Sequence, residues 1–399
     1  LCKLKVFDSL KEKAQTRYFE DLIQEYLLDN THASIVVVNP KRGLAAQRDK
    51  ALEEKLEAYK SSLSKEEVEK IVAESAHLKE YQDAPETPEA LATIPMLKRS
   101  DISKETIKIY NTPKKSGDTL LLHHNIDTNG ICYLDLLFDL KKVPQELIPY
   151  TSILKSVLGY VDTENYTYGE LFNEINANTG GINCGVEVFD RADSTEEFQA
   201  MFSVRGKALY TKMDFLFKMI GEILNSSKLE DTKRLYEIVA SVKSRAQVNL
   251  TGAGHSTAVL RAAAYSSPMA AFQDEMAGIG YYQFIEKLEK DFEQRKEETV
   301  EELCKLMKKI LRPENFMISY TGERESMETV QKLAGAVKAG LGTEPVEKSK
   351  EKLTCIKKNE GFKTSGQVQY VAQTGNFKKK GLEYTGALEI LKVILSYDY

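Results

Sequence analysis

Residues 119–140 read TLLLHHNIDTNGICYLDLLFDL. Thr119–His123 and Ile131–Leu140 carry strand-like runs, and Asp127-Thr128-Asn129-Gly130 between them is a turn sequence suited to positive φ. The stretch predicts two strands joined by a turn, with a third strand just upstream at Ile107–Tyr110. Downstream, helices are expected from Pro144 to Leu158 and from Tyr168 to Asn178, the second ended by Thr179-Gly180-Gly181 through glycine C-cap chemistry. Ile182–Phe189 and Phe198–Val204 read as further strands, linked by the polar Asp190–Glu197. A helical tract then occupies 211–311, with breaks near Asn225–Asp231, at Ser266-Ser267-Pro268 and near Phe292–Glu297. Asn315–Tyr320 returns as a strand and Met327–Leu341 as a helix. That order makes one α+β domain, an antiparallel-rich sheet packed with helices.

Working outward, Leu4, Phe7 and Leu10, then Phe19, Leu22, Ile23, Tyr26 and Leu27, carry helical spacing over 4–28. The β-branched run from Ser34 to Pro40 reads as a strand. Gly43 to Ser61 reads as a helix. Ser64 with Glu67 is a capping box opening a second helix to about Tyr81, broken by Asp83-Ala84-Pro85-Glu86-Thr87-Pro88. The short connection implies an antiparallel helical hairpin, and its alternating charges suit a strut between larger bodies. On the other side, 342–352 is the best linker, Gln367–Thr374 alternates Val368, Tyr370 and Ala372 as a half-buried strand, and a helix starts near Tyr384. The chain opens inside one helix, without Met, and stops inside another, so it reads as an internal piece of a larger protein.

Composition narrows the function. The 399 residues are 42% hydrophobic and 29% charged, which supports a sizeable core. No stretch approaches the roughly 20 apolar residues of a membrane helix, and the start shows no signal-peptide pattern. Net charge is −5 with both signs interspersed, which argues against a nucleic-acid footprint. Lys378-Lys379-Lys380 reads as solvated turn residues. Cys2, Cys132, Cys184, Cys304 and Cys355 are odd in number and widely spaced, and read as reduced thiols in an intracellular protein.

Constellations that carry chemistry are weak. There is no GxSxG elbow, no P-loop and no GxGxxG after a strand. His77-Leu78-Lys79-Glu80-Tyr81 approaches the inverted zinc motif HxxEH, but Tyr81 stands where the second imidazole is needed, and one His cannot hold the metal. His123 and His124 are neighbours on a strand, so they point to opposite faces and cannot share a metal without a bulge. His255 lies among small residues that could admit a close backbone approach; the preferred reading is a helix-packing histidine that donates to a carbonyl. Met213, Phe215, Leu216, Phe217, Met219 and Ile220 look like helix core. Tyr281-Tyr282 with Phe284 either lines a cavity or packs a helix crossing.

Several of these residues carry a family resemblance. Tyr18-Phe19-Glu20-Asp21-Leu22-Ile23 with Tyr26 to Asn30 resembles the closing helix of the second domain in the presequence-protease-like branch of the pitrilysin/insulinase superfamily, the inverted-motif (HxxEH) zinc peptidases. Asn39-Pro40 with Gly43-Leu44-Ala45-Ala46, Leu78 to Pro85, and Ile94-Pro95-Met96-Leu97 are similar to the two ends of that branch's linking hairpin. His124 to Ile131, the Tyr168 to Gly181 helix, and Gly254-His255 leading to Arg261 extend the likeness along nearly the whole chain.

The resemblance implies a metallopeptidase-type α/β sandwich preceded by a long helical hairpin. It implies a zinc endopeptidase of two homologous halves, hinged around a chamber that admits unstructured oligopeptides. On that mapping, 1–40 ends a second domain, 41–98 is the hinge, 99–345 is a third, catalytically silent domain, and 346–399 begins a fourth. The zinc helix belongs to a first domain outside the chain, and the assisting Arg and Tyr belong beyond Tyr399. The matching segment here, Pro149-Tyr150-Thr151-Ser152-Ile153-Leu154, has no ligand set. The expectation is therefore no catalytic, metal or cofactor-binding residue in this chain, zinc only in the parent, and no hydrolysis by the chain alone. The expected partners are the N-terminal catalytic half, the C-terminal remainder and unstructured peptides, with no nucleic acid and no membrane. The expected setting is the cytoplasm, or an organelle matrix. The alternatives are a non-catalytic scaffold member of the same superfamily and a stand-alone peptide-binding module.

Overall fold

The computed structural model describes residues 4–191, 193–346, 353, 355–364 and 368–397. The chain divides into two compact units, 1–105 and 106–399.

The first unit is helical. Leu4–Lys13 (α1) and Tyr18–Ile23 (α2) replace the single helix expected over 4–28, with Gln24–Leu28 continuing as a π-helical turn. Leu44–Ser62 (α3) and Lys65–Asp83 (α4) follow, then a short Pro88–Ala92 (α5) that the sequence reading missed. The Ser64 capping box is formed: Glu67 N–H donates to Ser64 Oγ at 3.2 Å, and Ser64 N–H to Glu67 Oε2 at 2.7 Å. Neither α3 nor α4 buries a residue, so the mutual packing that their short connection implies is not seen. Their apolar stripes are narrow and set among charges, and Leu56 and Val72 stay more than half exposed. The strand expected at 34–40 is absent as well. Ile35, Val36, Val37 and Val38 are 75–94% exposed and no strand lies beside them among the described residues. A β-branched run needs a neighbour's amides and carbonyls before it is a strand.

The second unit is α+β, as the sequence predicts. Its strands are Thr112–Ser116 (β1), Thr119–His124 (β2), Ile131–Asp139 (β3), Ile182–Asp190 (β4), Phe198–Leu209 (β5) and Phe316–Thr321 (β6). They form one sheet in the order β1-β2-β6-β3-β5-β4. Asn129 and Gly130 do take positive φ, 52° and 82°, but the turn does not close a hairpin. β6 inserts between β2 and β3, parallel to β2 and antiparallel to β3. Ile107–Tyr110 is not a strand. Ile107 and Ile109 are 92% and 84% exposed, and pairing begins only at Thr112, opposite His123.

The helices are Ile148–Val157 (α6), Tyr168–Asn178 (α7), Met213–Ser226 (α8), Thr232–Gly252 (α9), Gly254–Ala264 (α10), Pro268–Ala277 (α11), Ile279–Lys290 (α12), Phe292–Ile310 (α13), Met327–Ala339 (α14) and Gly386–Tyr397 (α15). The tract breaks near 225–231 and 266–268 as expected. The third break falls at Asp291, and further breaks at Ala253 and Gly278 were not legible. After α7 the helix does not end on a left-handed C′ glycine. Thr179 is extended and the positive φ, 109°, falls one residue late at Gly181. The expected strand at 367–374 is also absent: Val368 to Thr374 is coil, Val371 is 85% exposed, and Gln367 lies outside the described residues. Of the expected linker 342–352, the described part, 342–346, is irregular chain.

The core lies between one face of the sheet and the helices. Cys132, Leu134, Leu136 and Phe138 are buried on that face of β3, while Tyr133, on the other, is 43% exposed. Phe202, Phe138 and Phe316 stand in register across β5, β3 and β6, and the Phe138 and Phe316 rings lie 5.3 Å apart. α8 presses on β5, where a Cβ on Gly206 would sit 2.6 Å from Leu216 Cδ1; the missing side chain permits the approach. Met213, Leu216, Phe217, Met219 and Ile220 are buried there, as their spacing predicts, and Phe215 packs against the core half-buried.

Candidate functional site

The helical layer carries a groove of about 1350 Å³. Its floor is α9, α10 and α12, and its other wall is the irregular chain 357–364 and 368–374. Two polar anchors hold that wall in place.

The first anchor is built on Arg261, in the last turn of α10. Its Nη1 donates to Asp274 Oδ2 on α11 at 2.6 Å. Its other edge meets Glu360, with Nε donating to Oε2 at 2.8 Å and Nη2 to Oε1 at 3.1 Å. This is the fork-on-carboxylate geometry that a guanidinium provides and an ammonium cannot. Tyr265, one turn along α10, donates its hydroxyl to the same Glu360 Oε2 at 2.5 Å. Asp274, 2% exposed, also accepts the Ile279 and Gly280 backbone N–H groups at 3.1 Å each, closing the first turn of α12. One guanidinium thus joins α10, α11, the start of α12 and the chain at 360.

The charges settle accordingly. Hydrogen bonds from Arg261, then from Tyr265, and the nearby Arg261 charge hold the Glu360 carboxyl down at about 2, against a smaller opposing effect of burial. The same carboxylate raises the Tyr265 phenol, which burial raises most. A carboxyl lowered by folding contributes stability above its unfolded value of 4.5 and loses it as pH falls through about 2. The Glu360 contact should therefore survive at pH 4. Its side-chain ¹³C carboxyl resonance should stay flat from pH 7 to pH 3, whereas a midpoint above 4 would contradict the geometry.

The second anchor is Lys379, whose Nζ lies 2.6 Å from Glu196 and donates to Ser266 O at 2.9 Å. The basic run at 378–380 is thus not simply solvated. It forms a 3₁₀ turn from which Lys379 is engaged in these two contacts. Between the anchors the Tyr370 ring lies over Gly254, where a Cβ would sit 2.5 Å from the ring. The close approach anticipated around His255 is real, but a ring makes it, and it falls one residue earlier. His255 itself is exposed, with its ring centre 6.1 Å from that of Tyr370, and is not a buried packing histidine. Of the aromatic trio, Tyr281 is buried in the helical layer, Tyr282 lines the groove and donates to Glu286 at 2.8 Å, and Phe284 meets Tyr150 edge-on at 4.9 Å.

The remaining histidines are committed or isolated. His123, 2% exposed, stacks on Tyr320 with ring centres 5.3 Å apart, and its Nε2–H donates to Gly322 O at 3.0 Å. His124 faces the other way: its Nδ1–H donates to Tyr110 O at 2.8 Å, with Ser319 Oγ 3.3 Å from Nε2. His77 is exposed on α4 and Tyr81, 75% exposed, follows it. Zinc needs several imidazole, thiolate or carboxylate donors converging with free lone pairs. Among the described residues no group of three or more His, Cys, Asp or Glu converges in that way. Pro149 to Leu154 of α6 is fully buried and apolar or hydroxylic, so it offers no ligand. The donors of the described residues do not converge into a set that fits a zinc ion. Cys132, Cys184, Cys304 and Cys355 are unbridged, and burial pushes the Cys132 and Cys184 thiols up to about 12, away from nucleophilic use. Cys2 lies outside the described residues.

The second surface of interest is the sheet face away from the core. Across it, Arg205 of β5 reaches Asp135 of β3 at 2.8 Å and Glu187 of β4 at 3.1 Å. Half-exposed Tyr133, Leu120 and Phe189 flank this ladder. No helix of the described residues is long and apolar enough to cross a membrane.

Comparison with known proteins places these features in context. The sequence model of the family described as associated with peptidase M16, subfamily C, matches residues 38–288. Protein HypA of Clostridium perfringens is 35% identical over 395 residues, covering 99% of this chain and 40% of that protein. Presequence protease 1, chloroplastic/mitochondrial, of Arabidopsis thaliana is 26% identical over 394 residues, 97% of this chain and 36% of that one. Among solved structures, a peptidase M16 inactive domain from Pseudomonas fluorescens aligns at a TM-score of 0.40 and 14% identity, over 61% of this chain and 53% of that one. The chain spans about two fifths of the length of the curated relatives it matches.

Proposed function

The chain belongs to the family associated with peptidase M16, subfamily C, and from that membership we propose that it is the internal, non-catalytic part of a zinc-dependent endopeptidase that degrades unstructured oligopeptides inside a closed chamber. The observation that carries this reading is the match to a presequence protease along 97% of the chain. Residues 41–98 act as the hinge. Their two long helices, with apolar stripes left exposed, suit a strut that works between bodies. Residues 99–345 act as chamber wall, residues 1–40 close a preceding domain, and 346–399 begin a following one.

The sheet supports the wall role physically. Helices cover one face, and the other presents the Asp135–Arg205–Glu187 ladder among half-exposed aromatic and aliphatic side chains. Such a mixed surface can order an extended peptide without holding it tightly, which is what confinement near a distant catalytic centre requires. The groups that bind zinc and cleave the bond are assigned to other parts of the same protein, since the histidines here are committed to carbonyls or stand alone. The parent works in the cytoplasm or in an organelle matrix, and its partners are unstructured peptides and the rest of its own polypeptide, not nucleic acid or membrane.

The test compares this 399-residue chain with a longer protein that contains it. Stoichiometric zinc and chelator-sensitive cleavage of an unstructured peptide are expected only in the longer protein. Zinc bound one-to-one by the shorter chain, and lost on changing His77 or His123, would refute the assignment.

A further inference from the structure

The Arg261 cluster lies outside any role given to the wall, and its geometry is specific. A guanidinium with 13% side-chain exposure is sandwiched between a 3%-exposed carboxylate and a second carboxylate 99 positions away in sequence. Removing two opposite charges from water is costly unless every donor finds an acceptor. Here Nη1, Nε and Nη2 all do. Phe362, two residues beyond Glu360, adds its ring to the cation at 6.0 Å. Segment 355–364 itself forms no helix or strand, and Lys357 to Thr364 are exposed, so the Arg261 cluster is its charged fastening to α10.

We propose that Arg261 is the pin of a latch: it clasps Glu360 to the Asp274-capped start of α12, holds 355–364 against α10, and thereby creates the groove wall. Opening the latch frees that segment while the α+β body stays folded. In the latched state the groove is a bounded channel, and in the unlatched state the α9, α10 and α12 face becomes open surface. The inference does not depend on the peptidase reading, because it concerns only contacts within residues 106–399.

Limited chymotrypsin digestion of the full chain tests it, with cuts after Phe362 and Tyr370 quantified by mass spectrometry and cuts after Tyr59 and Tyr81 as an internal standard. Glu360→Gln removes the charge-assisted fork but leaves Arg261 paired with Asp274, so the body should fold normally by circular dichroism. It should speed cleavage after Phe362 about tenfold relative to the standard, the effect expected for losing hydrogen bonds to a charged group in a locally opening segment. Lys358→Gln, which removes only a peripheral contact at 3.7 Å, should leave the rate unchanged. A rate within about twofold of the parent for Glu360→Gln, in a folded protein, would overturn the proposal. So would an equal acceleration by Lys358→Gln.

Discussion

Asp274→Ala should destabilise the 106–399 unit by about 3–5 kcal/mol, the usual cost of removing one partner from a buried ion pair. Asp274 is almost wholly buried, and its two oxygens serve three donors: Arg261 Nη1 and the Ile279 and Gly280 amides. Alanine strands the guanidinium on one side and two helix-starting N–H groups on the other. The buried Ile279 amide cannot recruit water without opening the packing around it, and Arg261 is left with Glu360 alone. The loss should appear as a drop in Tm on the order of 6–10 °C for a unit of this size. Asp274→Asn keeps an acceptor for the α12 amides but loses the charge, and should fall about midway. A change below about 2 °C for the alanine variant would mean that the cluster contributes little to folding and that Asp274 is not its keystone.

Phe138→Ala should cost a similar amount, about 3–5 kcal/mol, for a different reason. Phe138 is fully buried at the middle of the Phe202–Phe138–Phe316 row, and its truncation leaves a cavity bounded by strands that cannot close in on it. The matched control is Tyr133→Ala on the same strand, whose side chain points to the open face and is 43% exposed; it should lose less than about 1 kcal/mol. Urea unfolding of the two variants separates the faces. Equal losses would show that the second face of the sheet is covered in solution.

The two changes also bear on the latch. Phe138→Ala should leave cleavage after Phe362 unaffected at temperatures where the protein is folded, since the sheet core touches neither Arg261 nor Glu360. Asp274→Ala should accelerate it, because the guanidinium loses the carboxylate that orients it toward Glu360.

Local chemistry was legible in the residues. The Ser64–Glu67 capping box, the α7 boundaries at Tyr168 and Asn178, the positive φ at Asn129 and Gly130, and the buried face of α8 all follow from side chains a few positions apart. So did the α+β class and the likeness to a peptidase family, which rest on element order and on short runs of residues. Pairing across long separations was not legible. β-branched runs at 34–40 and 107–110 have strand composition but pair with no strand among the described residues, while β6 arrives from far downstream to divide β2 from β3. A ladder is completed by another strand's backbone, and side-chain pattern carries no address for that partner. The Arg261–Asp274–Glu360 latch was hidden for the same reason: three charged residues look like solvated surface until folding withdraws water from them and leaves only each other as partners.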